Sequence, residues 1–78
     1  MPTVAVIGPY RFAFFSGDGH EPAHVHVFRD RSEAKFWLSP VKRAFSRDLS
    51  ERELRQIERI VVENRDAWME VWNGYFGR

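Results

Sequence analysis

The chain of 78 residues contains no cysteine. That excludes a disulfide framework, a thiolate zinc site and a cysteine nucleophile. No apolar run approaches the ~20 residues that a helix needs to span a bilayer. The opening stretch MPTVAVIG has no basic region and no small-residue cleavage site, so a cytoplasmic location is expected. A glycine-rich phosphate loop and a Gly-x-Ser-x-Gly elbow are both missing, which removes two common routes to nucleotide binding and acyl transfer. A dominant charge is missing too, because twelve Lys and Arg face eleven Asp and Glu for a net charge of +1.

Aromatic residues are plentiful: seven Phe, three Trp and two Tyr in so short a chain. Residues 1–78 are too few for two independent cores and are read as a single domain near the lower limit of self-sufficient folding. Such domains often complete their burial by oligomerising, so a homo-oligomer or a complex with another chain is expected. The charge is unevenly placed. Residues 1–47 carry seven Lys and Arg against four Asp and Glu, whereas residues 48–78 carry five against seven. A basic N-terminal part could suit an anionic ligand, but the asymmetry is small and a mixed solvated surface is the simpler reading.

Val4 to Ile7 reads as a short strand closed by the turn pair Gly8-Pro9. Tyr10 to Ser16 follows as a second strand, and Gly17-Asp18-Gly19 is expected to supply the positive φ angles of a loop. A third strand runs from His24 to Arg29. A fourth covers Glu33 to Ser39, and a fifth is expected over Val41 to Ser46. Connections this short join antiparallel neighbours, predicting a meander of three to five strands.

The C-terminal third is helical. Ser50 and Glu53 fit a capping box, with Ser50 accepting from the Glu53 amide and the Glu53 carboxylate reaching back. Leu54, Ile57, Val61, Trp68, Val71 and Tyr75 recur at helical spacing, with Trp72 beside them. Asn64 interrupts that seam and predicts a bend or break, and Gly74 and Gly77 are expected to end the helix. The fold class is therefore α+β: an antiparallel sheet packed by a C-terminal helix or broken helix pair.

All three histidines fall within GHEPAHVHVF. On a strand, residues two apart project from one face about 6.5 to 7 Å apart. His24 and His26 then stand side by side while Val25 and Val27 face the core. Two such imidazoles can hold a divalent transition metal if further ligands come from His20, Glu21 or Asp18 in the preceding loop, or from Asp30 or a helix carboxylate folding back. Alternatively, one imidazole serves as general base and the other, protonated, as electrophile near a phosphate, with His20 and Glu21 as further catalytic candidates. They can equally be plain surface residues of an amphipathic strand. A three-histidine alternation of the nucleotide-hydrolase type is not met, because Phe28 takes the third place.

Arg29, Lys35 and Arg43, with aromatics interleaved, are candidate phosphate contacts for single-stranded RNA. Lys35 serves equally as edge-strand protection. Trp37, Trp68, Trp72 and Tyr75 are candidates for a partner interface, the last three also for anchoring the helix on the sheet.

The segments YRFAFFS, EPAHVHV, AKFWLSP and ELRQIERIVVENRDAWMEVWNGYFG together resemble, in the same order, the small bacterial family catalogued as domain of unknown function 4160. The resemblance covers nearly the whole chain, and its most specific element is Glu21-Pro22-x-His24-Val25-His26-Val27. Trp72-Asn73 and Phe76-Gly77 match the family's C-terminal element, and Gly74 departs from the larger polar residue expected there. By this resemblance the chain would be encoded beside a small protein of the domain of unknown function 2442 type. Such pairs are viewed as toxin–antitoxin modules. The family name assigns no reaction. Two roles follow: an RNA-acting toxin centred on His24 and His26, or a non-catalytic neutralising or scaffold partner.

Overall fold

The computed structural model describes residues 3–77. It contains β1 (Thr3–Ile7), β2 (Tyr10–Ala13), a 3-10 turn (Ser16–His20), β3 (His24–Arg29), β4 (Ser32–Leu38), β5 (Val41–Arg47) and α1 (Glu51–Phe76). All neighbouring strands are antiparallel, in the spatial order β1-β2-β3-β4-β5. The fold is thus an α+β meander with one helix laid across one sheet face.

Tight connections set the register. Ile7 pairs with Tyr10 across Gly8-Pro9, Arg29 with Ser32 across Asp30-Arg31, and Leu38 with Val41 across Ser39-Pro40. Because side chains alternate along a strand, these pairings line up whole rows on each face. Phe12, Val27 and Ala34 form one row, and Val25 and Phe36 another, both facing the helix. Leu54, Ile57, Val61 and Trp68 cover them, and this cluster is buried almost completely. Phe12 and Trp68 meet at a centroid distance of 4.8 Å. Residue 44 is the extra residue of a bulge in β5, since Lys35 pairs with Phe45 but Phe36 with Arg43.

Several sequence expectations need correction. The second strand stops at Ala13, because Phe14 leaves the ladder to pack on Trp72, Tyr75 and Phe76. Among the described glycines only Gly8 and Gly77 take a positive φ, so Gly17 and Gly19 do not serve the loop that way. Gly19 is wanted for close approach instead: a Cβ there would lie 2.6 Å from the Phe76 ring.

Only half the capping box forms. Ser50 Oγ accepts from the Glu53 amide at 3.1 Å, but the Glu53 carboxylate turns to Arg29. The helix runs unbroken through Asn64, whose Nδ2 donates to the Ile60 carbonyl at 2.8 Å and so satisfies itself within the helix. Arg65 then anchors this stretch to the sheet by donating to the Leu38 carbonyl and to Ser39 Oγ. The buried stripe passes from Trp68 to Trp72, leaving Val71 and Tyr75 exposed. Gly74 lies inside the helix, and Gly77 alone caps it, at φ 72° with its amide donating to the Asn73 carbonyl. Among the described residues, no helix is long and apolar enough to cross a membrane.

Candidate functional site

The opposite set of rows carries the histidines, and the C-terminal end of the helix still reaches this part of the sheet, since Trp72 lies against His24. His24 pairs with Trp37, and His26 with Lys35, on β3 and β4. The 3-10 turn folds over the start of β3 and delivers Asp18 to the histidines. Asp18 Oδ2 accepts a hydrogen bond from the Phe15 amide at 2.8 Å, which fixes the carboxylate. The same oxygen lies 3.1 Å from His24 Nε2 and 3.3 Å from His26 Nε2. Neither nitrogen makes a directed hydrogen bond. Among the described residues, Asp18, His24 and His26 each present a donor atom within 4.8 Å of the others.

The surroundings orient both rings. His24 Nδ1 donates to the Pro22 carbonyl at 3.0 Å; a carbonyl can only accept, so the hydrogen of the neutral ring belongs on Nδ1. His26 Nδ1 faces Glu33 Oε2 at 3.4 Å. His24 is fully enclosed, with Trp72 at 5.0 Å and Trp37 at 5.6 Å between ring centroids. His26 is stacked on Phe28 and edged by Phe15, and its side chain keeps 13% of its exposure. The cluster is therefore closed on the His24 side and slightly open on the side of His26 and Asp18.

Burial works against the Asp18 carboxylate, yet its pKa lies below the ordinary value. The Phe15 amide and the electrostatic pull of His24 and His26 outweigh the desolvation. The Glu21 carboxyl is also lowered, chiefly by the hydrogen bond that Lys35 Nζ donates at 2.6 Å.

The remaining candidates separate. His20 is mostly exposed and its Nδ1 contacts the Gly17 carbonyl, so it stands outside the cluster. Glu21 lies 3.6 Å from His24 Nδ1, on the far side of that ring from Asp18, and is held by Lys35. Lys35 shares the histidine face and sits over the Trp37 ring at 4.6 Å. Arg29 is on the opposite face, gripping both oxygens of Glu53 with Nε and an Nη at 3.1 and 2.9 Å. Arg43 pairs with Phe36 in register and donates to Glu51, also away from the histidines. Trp68 and Trp72 are buried within the chain, whereas Trp37 is half-buried and Tyr75 is exposed.

Asp18 was one of three loop candidates by sequence, and the turn selects it. Glu33 carries no signal of its own in the sequence; the alternation of β4 places it on the face of Lys35 and Trp37 once the hairpin register is known. Trp72 as the wall behind His24 had no local signal at all.

The family profile described as Domain of unknown function (DUF4160) matches residues 10–73. The match takes in the 3-10 turn, both histidines and most of the helix. The chain belongs to this family. No curated protein and no solved structure matches the chain.

Proposed function

We propose that this protein is the effector half of a two-protein module of the toxin–antitoxin kind, acting on RNA in the cytoplasm. In this reading His24 and His26 form the centre, Asp18 holds them, and Lys35 steers phosphate towards them. The single observation that carries it is the convergence of two imidazole nitrogens on one partly buried carboxylate oxygen, beside a lysine on a partly open face. Imidazoles held this way can move protons or stabilise phosphoryl charge, and a small protein needs few other groups for that. Arg29 and Arg43 would contribute to the charge of the whole chain but not to this centre. The small neighbouring protein of the domain of unknown function 2442 type would neutralise it by forming a hetero-complex.

Expression of the chain alone in a bacterial host should arrest growth and fragment cellular RNA. His26→Gln should abolish both while its far-UV circular dichroism matches the parent. Unchanged growth with intact RNA, or undiminished arrest in a folded His26→Gln variant, would overturn the reading.

A second reading rests on Val6, Phe15 and Phe45, apolar and exposed on or beside the histidine face. There the chain is the non-catalytic partner, and this face is what the neighbouring protein covers. It requires a harmless chain and a stable complex of fixed stoichiometry with that neighbour.

A further inference from the structure

We infer that Asp18, His24 and His26 form a binding site for one divalent transition-metal ion of the zinc class. The inference stands independently of any action on RNA. It begins with the tautomer of His24. With its Nδ1 hydrogen on the Pro22 carbonyl, the neutral ring aims the Nε2 lone pair at Asp18 Oδ2 from 3.1 Å. A lone pair facing a carboxylate oxygen beside a fully enclosed ring is repulsive, and His26 Nε2 faces the same oxygen at 3.3 Å. A cation shared by the three atoms removes the conflict.

The spacing agrees. Donors bound at about 2.0–2.2 Å around a tetrahedral ion stand roughly 3.3–3.6 Å apart, and closer around an octahedral one. Two imidazoles and one carboxylate are a donor set that zinc and its first-row neighbours favour over calcium or magnesium. The supporting shell is also of the kind that metal-bound histidines use. His24 has a backbone carbonyl on its second nitrogen, and His26 has the Glu33 carboxylate facing its own. Asp18 keeps its pull on the Phe15 amide through the oxygen that faces both rings. Three protein ligands leave at least one position for water or a substrate oxygen, on the His26 side where the cluster opens.

The test uses the full chain purified without a histidine tag, stripped with a chelator, and titrated with Zn2+ by calorimetry. Co2+ is added in parallel and read by its visible absorption. One ion per chain, bound at micromolar Kd or tighter, is expected. Asp18→Ala and His26→Gln should each weaken binding at least tenfold, and His20→Ala should leave it within twofold. The wild-type titration alone can overturn the inference: no stoichiometric uptake of either ion means that protons, not a metal, hold the cluster together. Uptake that survives both ligand substitutions, or that disappears with His20→Ala, overturns it equally. A chain that takes up metal but leaves RNA intact would sink the proposed function and keep this site. A chain that cleaves RNA and takes up neither ion would do the reverse.

Discussion

On the helix side of the sheet, Phe12, Val25, Val27, Ala34 and Phe36 are sealed under Leu54, Ile57 and Val61. On the other side, His24 and His26 alternate with those same valines, among Phe28, Lys35, Trp37 and Phe45. The centre of the first face is apolar and almost completely buried. The second contains enclosed nitrogens without hydrogen bonds and large apolar groups in water. A small domain gains most of its stability from one closed face, which leaves the other free to be strained or sticky. The difference locates stability on the helix side and unsatisfied chemistry on the histidine side.

The sharpest way to break that division is to truncate one phenylalanine on each side. Phe36 is fully buried, so Phe36→Ala should cost about 3–5 kcal/mol by lost transfer energy and cavity formation. That is comparable to the whole stability of a domain this small, and the variant should be largely unfolded by circular dichroism at 25 °C. Phe45 is 44% exposed, so Phe45→Ala should shift stability by no more than about 0.5 kcal/mol. Comparable losses at both positions, measured by urea unfolding, would show that the histidine face is structural after all.

How much of this was readable beforehand depends on whether the signal was local. The strand His24–Arg29 follows from alternation and is found, whereas the polar turn after it is one residue shorter than Asp30-Arg31-Ser32 suggests, because Ser32 already pairs with Arg29. The edge strand β5 also forms, despite being almost wholly exposed, because it pairs with β4 along its length while Val41 packs on the core. Asn64 misled because a polar residue in a seam usually marks a break. Here the Ile60 carbonyl and the Arg65 tether to the sheet hold the helix through it. Val71 and Trp72 were ranked by spacing alone, whereas burial at the helix end is decided by Phe14, which reaches Trp72 from outside the strand. The pairing of His24 and His26 on one face was legible for the same reason as the strand. Asp18 as their common neighbour was not, since the 3-10 turn that brings it there is a tertiary outcome.

An intermediate effect is expected where the helix side makes a forked ion pair. Arg29 and Glu53 are each partly exposed, and Arg29 meets both carboxylate oxygens. Glu53→Gln keeps the shape and removes the charge, and should cost about 1 kcal/mol at low ionic strength. Because the pair is near the surface, raising the salt should shrink that difference by screening the parent. A difference unchanged between low and high salt in urea unfolding would mean that packing, not charge, makes the contact matter. Ser50, which still caps the helix, should be unaffected in either case.

The smallest effect belongs to the ion pair of the histidine side, Lys35 with Glu21. Lys35 holds the Glu21 pKa below its ordinary value, so the folded state binds a proton there less readily than the unfolded chain does. The contribution is therefore fully present above the unfolded pKa of Glu21 and is lost as the pH falls through the folded one. Lys35→Gln removes the cause of the shift. The variant should be slightly less stable than the parent at pH 7, and the two should converge at acid pH once Glu21 is protonated in both. Unfolding by urea at a series of pH values, in chelator to keep metal out, reads the difference directly. A gap that persists unchanged into the acid range would assign the role of Lys35 to its stacking over Trp37 rather than to Glu21.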